Sequence, residues 1–374
     1  MMKRMIWAVV GVLLAILIVF IANPYLIKLI KCDLPEIDNY KCSPYKTIPK
    51  PDLTFALEKS PLAASVNISD SIIKQMQLYK TSAFIVIQDG KILYEKYFSI
   101  SDTDKIKSFS VAKSILSLLI GIAIDRGFIP SVAQKIKPYF PDMDLSDSIT
   151  IRDLLTMSSG LKWNENFDNP FSDVVKAFYT DNLKPLINKT KSVYPPGKQF
   201  SYKCINSILL GQILEKASGM SVTDFAYKYL WQPLGSESDA LWSTDKNGIV
   251  KVFCCFYATP RDYARLGMLI LNGGVINGNV IVSKDYLDQM ISPALYLRDN
   301  TGDSVYYYGY HIWITRYRGL TIPYMQGMFG QYVFIIPEKN AVVVRLGEKR
   351  SRQMVHHTPI DVEIYLNAAF DILN

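Results

Sequence analysis

Histidine is scarce in this chain. There are three among 374 residues, His311, His356 and His357, and the last two are adjacent in a stretch that reads as a loop. No H-E-x-x-H element and no C-x-x-C pair is present, so a metal site has no ligand set to stand on and no cofactor is implied. The G-x-S-x-G elbow is also missing, which leaves a Ser-His hydrolase using His311 without sequence support. Basic residues give a net charge of +7 but are scattered, with no long basic stripe interleaved with aromatics; this argues against nucleic acid as a partner. Cysteine occurs at five positions. Cys32 and Cys42 flank a short Pro-rich segment and are spaced to bridge outside the cytosol, whereas Cys204, Cys254 and Cys255 lie in apolar contexts that predict buried thiols.

Apolar residues, by contrast, make up 49% of the chain, enough for one large domain or two modest ones and too many for disorder. Eighteen uncharged residues, Met5 to Ala22, follow Lys3 and Arg4. As a helix they extend about 27 Å, close to the hydrocarbon thickness of a bilayer. The two positive charges ahead of them predict an N-terminus held inside and a chain that crosses. A cleaved signal peptide is the alternative, but its small-x-small site is poor, with Phe20 two residues before Ala22, and no lipobox precedes Cys32. The expected organisation is a membrane anchor or signal segment over 1–24, a linker and irregular lead-in over 25–65, and one extracytoplasmic domain over 66–374, periplasmic or extracellular.

The stretch from Lys107 to Gly127 organises that domain. Ser110 and Lys113 form an S-x-x-K element, and Ser114 to Ile124 is apolar nearly all round, too short to span a bilayer and therefore a buried helix. Ser110 falls at its start and Lys113 one turn later on the same face. A serine hydroxyl is a poor nucleophile until a neighbour takes its proton, and a lysine kept neutral by burial can do so. The helix N-terminus offers free N–H groups to an oxyanion. S-x-x-K also occurs elsewhere, as at Ser71/Lys74, in a polar helix, and at Ser243/Lys246, in a turn-like stretch. Only at Ser110 does it open a buried helix, where a lysine without a task is costly.

Around this helix the periodicities alternate. Ala83 to Ile87 and Ile92 to Tyr97 read as a hairpin across Gln88 to Lys91. A mainly helical stretch from about 128 to 235 follows, including Ser207 to Ala217. Asp262 to Leu271 is a further helix, strands return at Gly309 to Thr315, Tyr332 to Ile336 and Ala341 to Leu346, and Ile360 to Leu373 is a closing helix. Strands at both ends with helices between predict an α+β fold.

Two loops carry further chemistry. Pro195-Pro-Gly197 leads to Tyr202 just before a helix, and a phenol there can relay protons; beside a lysine ammonium it is pulled toward phenolate. The chain has 24 tyrosines, so the turn context is what singles this one out. Gln326-Gly327-Met328-Phe329-Gly330-Gln331 leads into a strand, and its glycines allow close backbone approach, so that an N–H here can be a second oxyanion donor.

Together these pieces resemble the class C β-lactamase-like serine hydrolases, nearest to the 6-aminohexanoate-dimer hydrolase branch. The likeness rests on Ser110-Val-Ala-Lys113, Ile149 to Leu161, Pro196 to Tyr202, Asn206 to Gly211, Ala258 to Gly267 and Gly330-Gln-Tyr-Val. It implies an antiparallel sheet flanked by helices plus a helical lobe, as in penicillin-binding proteins, with a site between the lobes. By this resemblance Ser110 is the acyl-accepting nucleophile, Lys113 its base partner and Tyr202 the proton shuttle. The backbone N–H groups of Ser110 and Met328 form the oxyanion hole, and Cys204, Asn206, Gly327 and Gln331 line the substrate site. The chain departs from the pattern twice: the Asn of Y-x-N is Cys204, and the lysine of K-T-G is Gln326. The missing lysine argues against a dedicated β-lactamase. The expectation is therefore a membrane-anchored serine hydrolase of a small amide or ester, with a non-catalytic sensor or scaffold on the same fold as the alternative.

Overall fold

Two helices open the chain in the computed structural model, which describes residues 2–32 and 42–373: α1 (Met2–Ala22) and α2 (Tyr25–Lys31). α1 is long and apolar enough to cross a bilayer and has no buried residue. β1 (Tyr45–Ile48) and α3 (Asp70–Leu78) lead to the expected hairpin of β2 (Thr81–Gln88) and β3 (Lys91–Tyr97). Its turn residues Asp89 and Gly90 have φ of 51° and 75°, as a two-residue turn of this hand requires. β4 (Ile106–Lys107) precedes α4 (Val111–Asp125), which stops just before Gly127 at φ 76°.

The stretch expected to be mainly helical carries α5 (Ile151–Leu155), α6 (Asp173–Tyr179), α7 (Lys184–Asn188), α8 (Cys204–Ser218), α9 (Val222–Ala226) and α10 (Gln232–Leu234), separated by irregular loops. Next come β5 (Ala240–Ser243), β6 (Phe256–Ala258), α11 (Pro260–Leu271), the small hairpin β7 (Val275–Ile276) and β8 (Asn279–Val280), and α12 (Lys284–Met290). The chain ends with β9 (Trp313–Tyr317), β10 (Leu320–Gly327), β11 (Gln331–Ile336), β12 (Ala341–Gly347), the hairpin β13 (Met354–Val355) and β14 (Thr358–Pro359), and α13 (Val362–Phe370).

The main sheet is antiparallel, in the order β3-β2-β12-β11-β10-β9, so the first hairpin and the last strands pair. Strand alternation requires cover on both faces. Phe84 and Val86 of β2 face Met76 of α3 and Tyr365 of α13, while Val333 and Val342 face the body of the molecule. α11 lies on that second face and comes close because Gly267 has no side chain; a Cβ there would fall 2.7 Å from Val342. Each buried aliphatic side chain contributes roughly 2 kcal/mol.

Several elements differ from the sequence reading. β10 was not among the expected strands; it forms although it contains Pro323, which stands opposite Ile314. β9 begins at Trp313 rather than Gly309, since His311 at φ 52° turns the chain first. A second sheet, ordered β1-β5-β6-β4, is assembled from short strands far apart in sequence. Its β1 belongs to the 25–65 segment expected to be irregular, and α2 is also within it. Residues 33–41 of that segment lie outside the described residues.

Candidate active site

Ser110 stands at the end of a strained turn. Phe109, just before it, has φ of 46°, a left-handed conformation that a bulky residue holds only when its surroundings enforce it. Ser108 supplies that constraint: its N–H donates to Phe256 O at 2.7 Å and its hydroxyl accepts the Phe256 N–H at 3.2 Å. Ser110 itself makes no side-chain cap on α4, which leaves its hydroxyl available. Lys113 is 1% exposed, the burial expected of a helix apolar on every side. Its Nζ donates to Ser110 Oγ at 3.1 Å and to Phe253 O at 2.8 Å.

The structure brings Tyr202 to the same place. The ring is stacked on Trp313 at 5.7 Å between centroids and meets Tyr308 edge-on at 6.1 Å. Lys113 Nζ lies 5.0 Å from its centroid. Its hydroxyl interacts with both Ser110 and Lys113. Hydroxyl, amine and phenol thus form one cluster.

The protonation of that cluster differs from the sequence reading, which had the lysine neutral and the phenol pulled toward phenolate. Burial works against the charged form of Lys113, but Cys204, Tyr202 and Glu165 overcome it and raise its pKa above the ordinary lysine range. Burial likewise raises Tyr202, and the nearby lysine only partly offsets it. The resting pair is therefore an ammonium beside a neutral phenol.

The four residues assigned to the substrate site have separate placements. Cys204 is buried against the cluster, where its thiol donates to Glu165 Oε1 at 2.8 Å; burial raises its pKa well above a normal thiol. Asn206 is 1% exposed, accepts from Ser159 and donates to Lys203 O at 3.1 Å. Gln331 is also buried, and its amide donates to Gly347 O at 2.6 Å and Met328 O at 3.2 Å. Both amides are engaged within the fold, so Asn206 and Gln331 support the walls of the site rather than reach into it. Gly327 is needed because a Cβ there would collide with the carbonyl of Ser108. The turn containing Met328 is thereby pressed against the Ser110 segment, and Phe329 at φ 61° stands edge-on to Phe109 at 5.2 Å.

Two supporting residues escaped the sequence reading. Arg345, fully buried in β12, donates to Phe329 O and Gly330 O, each at 2.6 Å, and fastens the Met328 turn. A lone arginine inside the apolar run Ala341 to Leu346 was the available signal. Glu165 accepts from Cys204 N and Trp163 Nε1, each at 2.8 Å; nothing in its local sequence marks it.

His311 is a core histidine. Its ring nitrogens meet Leu155 O and Ser207 Oγ, each at 2.9 Å, and burial, with help from Lys113, lowers its pKa to about 3. Neither nitrogen is available to Ser110. Cys32 and Cys42 are bonded, as their spacing suggested. Cys254 and Cys255 are bonded to each other and are not the free thiols expected, because the turn at Cys255, with φ of 65°, brings adjacent side chains together. Cys204 is the free cysteine among the described residues.

Beside Tyr202 opens a cleft of about 440 Å³, lined by Lys162, Trp163, Asn164, Glu165, Asp173 and Lys203 among others. A smaller space of about 210 Å³ near Met157, Tyr194 and Phe200 shares Ser201 and Lys203 with it. The cleft presents both charge signs beside the cluster of Ser110, Lys113 and Tyr202. Among the described residues no cluster suited to a metal ion occurs.

Residues 70–361 match the family described as Beta-lactamase. A 6-aminohexanoate-dimer hydrolase of Paenarthrobacter ureafaciens is 25% identical over 285 residues, covering 71% of this chain and 72% of that protein. Among solved structures, a Bacillus anthracis protein with a provisional 6-aminohexanoate-dimer hydrolase name superposes with a TM-score of 0.76 at 20% identity, over 90% of this chain and 92% of that one. A family VIII carboxylesterase gives 0.64 at 14% identity, over 85% and 99%. These likenesses establish a penicillin-binding-protein-like fold of antiparallel sheet and flanking helices, the architecture the sequence implied.

Proposed function

The chain belongs to the beta-lactamase family of serine hydrolases, and from that premise we propose that it cleaves a small amide or ester through an acyl-enzyme on Ser110. The observation that carries the reading is the 3.1 Å contact of the buried Lys113 Nζ with Ser110 Oγ, beside the half-buried Tyr202. After the Lys113–Tyr202 pair has lost one proton, it accepts the proton of Ser110 as Oγ attacks the carbonyl carbon. The N–H groups of Ser110 and Met328 receive the developing oxyanion. Tyr202 then returns the proton to the leaving amine or alcohol, and water releases the acid by the same steps.

The absent K-T-G lysine points away from substrates recognised by a carboxylate, because Gln326 offers no cation there. Lys3 and Arg4 ahead of α1 support an anchored protein with its catalytic part, residues 66–374 with a helical lobe near 128–235, across the membrane.

A fluorophosphonate tests the reading. Wild-type protein should be labelled once, at Ser110, and Ser110→Ala should take no label while keeping its circular dichroism spectrum. Lys113→Ala should lower turnover of esters and amides by about 10²–10⁴-fold. Full activity without Lys113, or labelling at another residue, would refute it.

A further inference from the structure

An apolar groove of about 440 Å³ lies outside the cleft. Val12, Ile16 and Phe20 of α1, Ile30 of α2, and Pro170 and Phe171 of the loop before α6 are among the residues that line it. Its lining is almost wholly apolar although much of it is open: Ile30 is 71% exposed and Phe171 is 49% exposed. The parts are tied together by specific contacts. Tyr25 donates its hydroxyl to Pro170 O at 3.1 Å, Tyr179 donates to Cys32 O at 3.4 Å, and Lys28 pairs with Asp181.

Depth along α1 gives the groove a location. Val12 lies near the middle of the apolar helix Met2–Ala22, about 15 Å along the axis from its C-terminal end. With α1 across a bilayer, Phe171 and Ile30 therefore sit beside the half of the span nearest the catalytic part, at the level of lipid chains rather than water.

The groove and the cleft share one loop. Asp173 lines the cleft and Phe171 lines the groove, two residues apart, at most about 7 Å of chain. At the other end Asn166 lines the cleft and Pro170 the groove, within about 14 Å. The loop is closed on itself, since Asn164 N donates to the Asp173 carboxylate at 2.9 Å and Val174 N donates to Asn164 O at 3.1 Å.

We propose that the substrate is an amphiphile drawn from the bilayer. Its hydrocarbon chain lies in the groove among α1, α2 and Phe171, and its polar head, with the scissile ester or amide, enters the cleft beside Tyr202. The mixed charges of Lys162, Lys203, Glu165 and Asp173 suit a polar head, and the groove offers no polar partner to anything but a chain. This rests on the hydrolase reading above and on α1 remaining in the membrane.

The test uses the full chain in phosphatidylcholine vesicles and two fluorophosphonates, one with an ethyl chain and one with a hexadecyl chain. Labelling of Ser110 is followed by intact mass. The ratio of hexadecyl to ethyl labelling rates should fall about tenfold in Phe171→Asp, and again in Ile30→Asp, both at exposed positions whose change leaves the core intact. An unchanged ratio in both variants, with ethyl labelling intact, overturns the proposal and leaves a water-borne substrate. An unchanged ratio accompanied by loss of a dimer in Phe171→Asp assigns the groove to a second copy instead, and overturns it too. If neither probe labels wild-type Ser110, the hydrolase reading itself has failed and this inference falls with it.

Discussion

The carboxylate of Glu165 accepts both the backbone N–H and the thiol of Cys204, each at 2.8 Å. Cys204 is the first residue of α8, and Lys203 before it provides no side-chain cap. A glutamate from a distant loop therefore caps the helix that presents Tyr202 two residues upstream. The same charge helps hold the proton on Lys113.

Activity should consequently rise with pH above neutrality, because Lys113 and Tyr202 both have raised pKa values and the pair must lose a proton before it can accept that of Ser110. Glu165→Gln keeps an acceptor for the cap but removes the anion, so the rising limb of kcat/KM against pH should move to lower pH. Glu165→Ala should also lower stability by about 1 kcal/mol through loss of the cap. A pH profile in Glu165→Gln that superposes on wild type would remove the electrostatic part of this account.

His311 should make the protein sensitive to acid. Its folded pKa is about 3 against an ordinary value of 6.5, so its contribution is complete above about pH 6.5 and is lost as pH falls toward 3. The upper bound on this loss is about 5 kcal/mol. Urea midpoints measured at pH 7 and pH 5 should differ less in His311→Gln than in wild type, and fluorophosphonate labelling of Ser110 should persist in that variant. Loss of labelling in a folded His311→Gln protein would restore the Ser-His alternative.

Alkylation reports the cysteine pairing. Unfolded but unreduced protein should take one iodoacetamide, at Cys204, and the reduced protein five. The folded protein should react slowly, because that thiol is buried and its pKa is well above normal. Three modifications without reductant would show Cys254 and Cys255 to be free thiols.

Gly327→Ala should damage catalysis more than folding. The added methyl meets the Ser108 carbonyl and pushes the Met328 turn away from Ser110. A loss of kcat by about 10²-fold, comparable to removal of one oxyanion donor, is expected with little change in KM. Unimpaired kcat in this variant would place the second donor elsewhere.

Residues 107–127 by themselves determined a helix opening at Ser110, with a lysine one turn on and apolar residues on every side, and the burial of Lys113 follows from those alone. The first hairpin and the apolar N-terminal helix were legible in the same way. Spacing, periodicity and turn residues are local properties, written within a few residues of the element they shape. Tertiary structure decided the rest, because it depends on neighbours far away along the chain. Tyr202 meets Lys113 only through the packing of α4 against α8. Burial alone argues for a neutral Lys113 amine, yet the proton rests there because of the groups that α8 and a distant loop bring around it. β10 forms despite Pro323 because strands lie on both sides of it, and a loop that begins in the cleft touches α1 only once the chain has folded.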